Sequence, residues 1–225
     1  MSLKVDLCEY DAAKYAVMHW HYSKAMPSGK LVRFGVWEDK RFIGCVIFGR
    51  GATINIGRPY NLKQTRVCEL VRVALNKHQS PVTKIVSQAI KILKETNPGM
   101  ELIVSYADSN QGHTGVIYQA GNWIYEGYST DSNIIIKGKL LHRRSITAKY
   151  GTNSLEWIQN NVDPKAERVL TKPKYKYLMP LNKRIKKQIQ KLSKPYPKSV
   201  KSIEADALSF QDKEGGSIPT LTLHQ

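Results

Sequence analysis

The chain has 225 residues, 41% of them apolar, which is enough for one domain with a sizeable core and excludes a wholly disordered chain. A net charge of +17 and a pI of about 9.8 favour a polyanionic partner (DNA, RNA or an anionic membrane), although such charge can also serve solubility alone. The cysteines at 8, 45 and 68 form no CxxC pair, and no secretory signal or membrane-spanning run occurs, so we expect no disulfide framework, no thiolate zinc site and a reducing cytoplasm.

The first third of the chain predicts a helix, two strands and a loop. Apolar residues at helical spacing predict a helix over 10–22, and alternating apolar residues predict a strand over 31–37. A continuous apolar run predicts a buried strand over 42–48, and Glu38-Asp39-Lys40 between the two strands predicts a hairpin turn. The stretch 49–62 is rich in Gly, Asn and Pro and predicts a long loop of the functional kind.

The middle of the chain alternates strands with helices. Strands are predicted over 68–75 and 102–106, with an amphipathic helix over 81–94 that has Ser80 as its N-cap and Pro81 at its first position. A helix over 112–120 and strands over 123–128 and 134–137 follow. This order predicts an α/β (α+β) fold with a mixed central sheet and helices on both faces.

The composition shifts near the C-terminal end, which predicts three regions. Residues 1–164 form the catalytic domain, and residues 165–201 form a basic segment packed on it or continuing it. The basic segment holds 13 Lys or Arg against one acidic residue, Glu167, with helical spacing over 182–192. It would contact phosphates, or it would be a solvated basic helix of no special role. Residues 202–225 are expected to be a poorly ordered tail or a loosely docked arm.

Charged and polar residues interrupt or follow two buried strands. Arg72 lies inside an apolar strand, so it either pairs with a carboxylate such as Glu69 or Asp108 or points into a cleft. Asp108 follows a buried strand, where open α/β sheets place their active sites, and would act as a general base, orient one, or simply cap the next helix.

Two further residues are candidates for the same cleft. Tyr118, ten residues after Asp108, would be a proton donor or a half-buried packing residue. His19 would enter the cleft from the end of the first helix or stay structural. His19 and His21 are two apart on a helix and so face different directions, which is a poor arrangement for a metal site, and no metal ligands are predicted.

Four motifs together resemble the Mom proteins of phages. They are Glu69-Leu-Val-Arg72-Val-Ala, Ile103-Val-Ser-Tyr-Ala-Asp108, Gln111-Gly-His113 and Ile117-Tyr118-Gln-Ala-Gly-Asn-Trp123, and the similarity covers about residues 15–130. The resemblance implies a fold similar to GNAT acyltransferases and the addition of a carbamoylmethyl group to adenine N6 in DNA, which protects phage genomes from restriction. It places His19, Arg72, Asp108 and Tyr118 at functional positions.

The donor of the transferred group is left open by the turn before the second predicted helix. A helix N-terminus after a strand can cradle phosphate, and GNAT acyltransferases have Arg or Gln, two residues, Gly, one residue and Gly or Ala there. This chain reads Gln79-Ser-Pro-Val-Thr83, without glycine. Acetyl-CoA and another amide or aminoacyl donor both stay open, and the sequence gives little support to an iron suggested for the family. We expect the donor to contact Val73, Leu75, Ser80, Val82 and Thr83.

The expected partner is double-stranded DNA in the cytoplasm of a bacterial host, with the target base flipped out of the stack. No membrane is expected, and the oligomeric state stays open, a dimer included. Two alternatives remain from the sequence: a GNAT-like acyl-CoA transferase acting on a protein or RNA amine, and a non-catalytic DNA-binding module.

Overall fold

The computed structural model describes residues 2–51, 53–129, 132–170 and 174–197. Ten strands and six helices alternate along this part of the chain. The strands are β1 Leu3–Leu7, β2 Leu31–Glu38, β3 Arg41–Gly49, β4 Val67–Leu75, β5 Leu102–Asp108, β6 Ile124–Ser129, β7 Ser132–Ile136, β8 Lys139–His142, β9 Glu167–Leu170 and β10 Lys174–Pro180. The helices are α1 Tyr10–Trp20, α2 Val82–Thr96, α3 Val116–Ala120, α4 Arg143–Tyr150, α5 Leu155–Asn161 and α6 Lys183–Gln190.

A seven-stranded sheet in the order β1-β2-β3-β4-β5-β10-β6 forms the body of the protein. Every neighbouring pair is antiparallel except β4 and β5, which are parallel and are joined by the crossover helix α2. The hairpin predicted at Glu38 is confirmed, since Asp39 and Lys40 both adopt positive φ between β2 and β3, as a type I′ turn requires. Strand β1 was not predicted from the sequence.

Helices cover both faces of this sheet, as predicted. On one face α2 buries its apolar stripe of Ile85, Val86, Ala89 and Leu93, and Tyr118 of α3 packs into the same core. On the other face α1 packs on β3 and β4, and α6 buries Ile185 and Ile189 against β5 and β10. The mixed α/β architecture expected from the order of elements is therefore confirmed.

Strands β4 and β5 diverge before they end. Their parallel pairing extends from Val67 and Leu102 to Leu70 and Ser105, although β4 continues to Leu75 and β5 to Asp108. The register of β4 against β3 also shifts at this point, between the pairs of Leu70 and Arg72, so that Val71 is an extra residue in β4. A bulge of this kind bends the strand and redirects the next side chain, which here opens the sheet beside Arg72.

Residues 132–170 form a small unit with its own sheet, in the order β8-β7-β9. Helices α4 and α5 cover this sheet, and Ile134, Ile136, Ile146 and Ile158 are the centre of its separate core. The sequence predicted only the first strand of this unit. The sequence of the other strands and helices of this unit is mostly polar and has no clear periodicity, because a three-stranded sheet with short helices buries few apolar residues.

The basic segment predicted over 165–201 is divided among several elements. Its beginning is β9 of the small unit, its middle is β10 between β5 and the edge strand β6 of the main sheet, and its second half is α6, which Asn182 caps. Residues 198–201 and the predicted tail 202–225 lie outside the described residues. Among the residues that are described, no helix is long and apolar enough to cross a membrane.

One local prediction is wrong. Ser80 was expected to cap α2, with Pro81 as its first residue, but the helix begins at Val82 and Pro81 is its N-cap. The proline carbonyl accepts the first bonds of the helix, from the N–H groups of Lys84 and Ile85. Ser80 is instead buried one residue before the cap, because its N–H group binds the carboxylate of Glu38.

Candidate active site

The divergence of β4 and β5 leaves a cleft of about 470 Å³ between the two strands. This volume is within the range of small-molecule sites in proteins. Three parts of the chain line it: the end of α1, the two diverging strands, and the segment that leads into α3. The lining residues are Trp20, His21, Tyr22, Leu70, Val71, Arg72, Val73, Tyr106, Ala107, Gly112, His113, Thr114, Gly115, Val116, Ile117 and Tyr118.

Tyr118 lines the cleft from the first turns of α3. Its side chain is 8% exposed, and burial raises the pKa of its phenol to about 12, so the phenol is protonated at neutral pH. The phenol oxygen lies 2.7 Å from the hydroxyl oxygen of Ser105, which is fully buried. A neutral phenol held in this way can donate a proton to a group in the cleft.

Arg72 lines the cleft immediately after the bulge in β4. Its Nη1 donates to the carbonyl oxygen of Val71 at 2.7 Å, and its Nη2 donates to the carbonyl of Ala25 at 3.3 Å. The sequence allowed Arg72 either to pair with a carboxylate or to point into a cleft, and in the structure Arg72 lines the cleft. The guanidinium thereby joins β4 to the loop that follows α1 and keeps a positive charge at the cleft wall.

His21 lines the cleft, whereas His19 does not. Helix α1 ends at Trp20, so His21 has extended backbone and turns away from the helix. His19 stays on the exposed helix surface, where its Nδ1 lies 2.8 Å from the carbonyl of Tyr15. His19 and His21 were both candidates from the sequence. Because α1 ends at Trp20, between the two, it is His21 that lines the cleft.

The protonation state of His21 follows from its surroundings. Burial, then the nearby charges of Arg72, His113 and Lys24, lower its pKa to about 4. The backbone N–H of Ser23 donates to Nδ1 at 3.1 Å, so Nδ1 is an acceptor and the proton of the neutral ring is on Nε2. At neutral pH His21 is thus an uncharged N–H donor at the cleft and not a base.

Asp108 lies at the mouth of the cleft, at the end of β5. Its Oδ1 accepts from the N–H of Asn110 at 3.0 Å and so caps the short 3-10 turn of Ser109–Gln111. The capping role considered for this residue is therefore present. Asp108 also raises the pKa of Tyr22, after the larger effect of burial on that phenol, which shows that the carboxylate is close to the lining of the cleft.

The residues expected to bind the donor are divided among the cleft, a separate depression and the core, where Val82 packs against the same cluster as Leu75. Val73 lines the cleft, while Leu75 packs in the core beside α2. Pro81 and Thr83 line a separate depression of about 410 Å³ between α2 and α3. Ser80 is 1% exposed.

Glu38 fills the turn that was a candidate phosphate cradle. Its carboxylate accepts from the N–H of Gln79 at 2.9 Å and from the N–H of Ser80 at 2.6 Å. These bonds and the hydroxyl of Ser80 lower the pKa of Glu38 to about 2, so that the turn holds a negative charge at neutral pH. Glu38 thus takes the N–H groups of Gln79 and Ser80, and Pro81 has none, whereas the carboxylate of Glu38 does not bind the N–H groups of Val82 and Thr83 in the first turn of α2. This residue was predicted only as part of a hairpin turn.

The described residues do not fit an iron site of the usual nitrogen, sulfur and carboxylate donors. No group of three or more His, Cys, Asp or Glu side chains in that part of the chain could hold a metal ion. Cys45 and Cys68 are buried, burial raises the pKa of each thiol to about 12, and neither lies in such a group of the described residues.

Comparisons with known proteins give a family and several structural similarities. The Mom protein family matches residues 2–198. The methylcarbamoylase Mom of Escherichia phage Mu is 28% identical over an alignment 205 residues long that covers 87% of this chain and 84% of that protein.

Among solved structures, a SpeG spermidine N-acetyltransferase mutant of Vibrio cholerae has a TM-score of 0.45 at 11% identity, covering 83% of this chain and 96% of that chain. A Bacillus subtilis acetyltransferase in complex with CoA has a TM-score of 0.43 at 14% identity, covering 80% of this chain and 100% of that one.

Proposed function

Because this chain belongs to the Mom protein family, we propose that it is a transferase that adds a carbamoylmethyl group to the N6 amine of adenine in DNA. The Mu relative is named a methylcarbamoylase. The observation that carries the proposal is the cleft, where Arg72, His21 and Tyr118 meet between two diverging strands and Asp108 lies at the mouth. The modification would protect phage DNA from restriction in the cytoplasm of the bacterial host.

Double-stranded DNA is the substrate that the charge of the protein supports. The net charge of +17 favours a polyanion. The exocyclic amine of adenine takes part in base pairing, so the base has to leave the helix to react, and enzymes of this kind flip it into a pocket. A cleft of about 470 Å³ that is lined by Trp20, Tyr22 and Tyr106 offers aromatic surfaces against which a base can stack.

The reaction forms a bond from N6 to the carbon next to the amide, while the bond from that carbon to the leaving group breaks. In the proposed mechanism Asp108 holds the amine and takes the proton that N6 loses. Arg72 and the Nε2–H group of His21 donate hydrogen bonds to the amide carbonyl of the donor and so polarise it. Tyr118 gives its proton to the leaving group. His19, which the resemblance placed at a functional position, has no step in this mechanism, because the histidine that lines the cleft is His21.

The sequence left acetyl-CoA and another acyl or aminoacyl compound open as donors. The proposed step needs a donor with an amide and a leaving group on the adjacent carbon, which acetyl-CoA lacks, and the turn at Glu38 also favours the second choice. In that turn the carboxylate of Glu38 occupies the backbone donors of Gln79 and Ser80 and places a negative charge where a pyrophosphate would lie. A donor without phosphates meets no such repulsion. The depression lined by Pro81 and Thr83 shares only Ile117 with the cleft. Pro81 and Thr83 therefore lie outside the cleft in which the reaction is proposed to occur.

Mass spectrometry of nucleosides from host DNA tests the proposal. Expression of the wild-type protein should yield an adenine carrying the added group, and Asp108→Asn should abolish it. Asparagine keeps an oxygen that caps the turn at Asn110 but removes the base, so loss of activity reports on chemistry and not on folding. Asp11→Asn, on the exposed first turn of α1, is the matched control.

Three results would contradict the proposal. Host DNA with unmodified adenine after wild-type expression excludes it. Full activity of Asp108→Asn would show that Asp108 is not the base that takes the proton from N6. Acyl-CoA turnover without DNA, on a protein or RNA amine, would favour the alternative of an acyl-CoA transferase with a different acceptor.

A further inference from the structure

The small unit of residues 132–170 is inserted between two strands of the main sheet. Strand β6 leads into it at Ser129, and β10 follows it from Lys174. Its core of isoleucines is separate from the cores of the main sheet. A unit with its own core folds as a body and can present a surface that the main sheet does not have.

The register of the main sheet fixes the point at which this unit is attached. Lys174 is paired with Asp108 of β5 on one side and with Ser129 of β6 on the other. Neighbouring strands are about 4.8 Å apart, so both attachment points lie within about 10 Å of Asp108 across the sheet. Ser132 is three residues from Ser129 and therefore starts within about 11 Å of it. The unit is thus tethered at the edge of the sheet where the cleft opens.

The surface of the unit is basic. Residues 132–170 contain seven Lys or Arg and three Asp or Glu. The exposed basic residues come from three elements and two turns, which spreads them over the unit; they are Lys137, Lys139, Arg143, Lys149, Lys165 and Arg168. Leu140 is 57% exposed and Trp157 is 40% exposed on the same unit.

We propose that the inserted unit of residues 132–170 grips the phosphate backbone of the DNA duplex beside the flipped adenine. The inference rests on the proposed function, because a target adenine in the cleft forces the duplex to cross the edge of the sheet at Asp108. A duplex carries one charge per 1.7 Å or so of its axis, so about six phosphate charges lie within a 10 Å length of it. The tether places the basic surface of the unit within reach of these phosphates.

Helix α6, the other strongly basic element, is placed less well for this contact. It begins after Pro180, which is paired with Leu102 at the start of β5, and so at the edge of the sheet away from the cleft mouth. Arg184 of α6 is also bound by Glu101, with Nη2 2.6 Å from Oε1. We therefore assign the phosphate contacts beside the flipped base to the inserted unit. Helix α6 would contact phosphates farther along the duplex.

The test measures binding of the full-length protein to a duplex of about 30 base pairs, which at about 3.4 Å per base pair is longer than the protein can cover, over a range of salt concentrations. The variant is Lys139→Gln with Lys149→Gln, on β8 and α4. The slope of log K against log salt should become shallower by about one for each lost contact, and modification of host DNA should fall with it. Lys139→Arg with Lys149→Arg should restore both.

The matched control is Lys91→Gln with Lys94→Gln, two exposed lysines near the end of α2. That end of α2 leads to Leu102, at the edge of the sheet away from the cleft. The control removes the same charge and should leave the slope unchanged. An unchanged slope for the variants in the inserted unit, or an equal loss in the α2 control, overturns the inference. Equal melting temperatures exclude misfolding as the cause of a change.

The experiment separates this inference from the proposed function. If wild-type expression leaves adenine unmodified, the proposed function fails whatever the binding shows. If adenine is modified and the variants in the inserted unit keep both binding and modification, only the present inference fails. A Lys186→Gln, Lys187→Gln variant of α6 that alone abolishes modification would assign the contact to α6 instead.

Discussion

The hydroxyl oxygen of Ser105 lies 2.7 Å from the phenol oxygen of Tyr118 and 2.9 Å from the carbonyl oxygen of Leu70. The serine has one proton and the carbonyl can only accept. When Ser105 donates to Leu70, Tyr118 donates to Ser105. When Tyr118 has given up its proton, Ser105 can turn and donate to the phenolate. Leu70 and Ser105 are also the last paired residues before β4 and β5 diverge, so this switch is at the inner end of the cleft.

The first prediction concerns this switch. Ser105→Ala should lower the initial rate of adenine modification about tenfold, since the phenolate formed by Tyr118 loses the donor that stabilises it. Ser105→Thr keeps the hydroxyl and should keep most of the rate. The measurement is the modified fraction of adenine at early times after induction. In a Tyr118→Phe background the alanine substitution should cost nothing further, and an additive loss would show that Ser105 acts independently of the tyrosine.

The second prediction concerns the two histidines at the end of α1. His21→Ala should lower modification strongly, and His19→Ala should leave it unchanged, because only His21 lines the cleft. The ring resonance of His21 in NMR should show no titration from pH 8 to pH 5.5, given a pKa of about 4. A midpoint near 6.5 would mean that the ring is solvated and that the assigned role as a neutral donor is wrong.

The free energy of unfolding should depend on pH below 6.5 because of the same histidine, His21. Its pKa in the folded state lies below the unfolded value of about 6.5, so folding is disfavoured once the unfolded chain begins to bind the proton. The contribution of His21 to stability is present above pH 6.5 and is lost as the pH falls from there toward 4. In urea unfolding at a series of pH values, His21→Phe should flatten that part of the curve.

The third prediction concerns Gly115, which precedes α3 and has a φ of +86°. A Cβ atom there would collide with the ring of Tyr177, whose hydroxyl donates to the carbonyl of Thr114. Gly115→Ala should destabilise the protein by about 2–4 kcal/mol, from overpacking together with a disfavoured backbone conformation. Gly112→Ala, at a φ of +69° with open space around it, should cost only about 1 kcal/mol. Similar midpoints in urea unfolding for the two variants would contradict this assignment.

The fourth prediction concerns Glu38. Its carboxylate has a folded pKa of about 2, below its usual 4.5, so its contribution to stability is present above pH 4.5 and is lost as the pH falls toward 2. Glu38→Gln should lower the melting temperature at pH 7 and have little effect near pH 2. Calorimetry with CoA should give no measurable binding to the wild type. Saturable binding of CoA to the wild type that Glu38→Gln strengthens would show that the turn accepts a pyrophosphate after all.

Much of the main sheet could be predicted because its signals are local. The stripe of α2 and the apolar runs of β3, β4 and β5 are continuous in the sequence, and Asp108 and Tyr118 follow a buried strand at a short distance. Arg72 belongs to this set as well, because a charge inside an apolar strand is a local signal. These residues need no knowledge of distant contacts.

The remaining features depend on contacts between distant parts of the chain. Glu38 and Ser80 are far apart in sequence, and nothing local shows that the carboxylate would take the N–H group of the serine and shift the start of α2. The resemblance pointed to His19, and the sequence alone could not correct this to His21 because the end of a helix is hard to locate from periodicity. The insertion after Ser129 was missed since its short strands and helices bury few residues each.

The cleft is lined from both faces of the main sheet. The end of α1 contributes from one face and α3 from the other, because the diverging strands leave room between them. Side chains of both faces can therefore hold two reactants at the same time, without one having to leave before the other arrives. Such a site favours a ternary complex, with intersecting double-reciprocal plots, over a ping-pong scheme in which the enzyme carries the group alone.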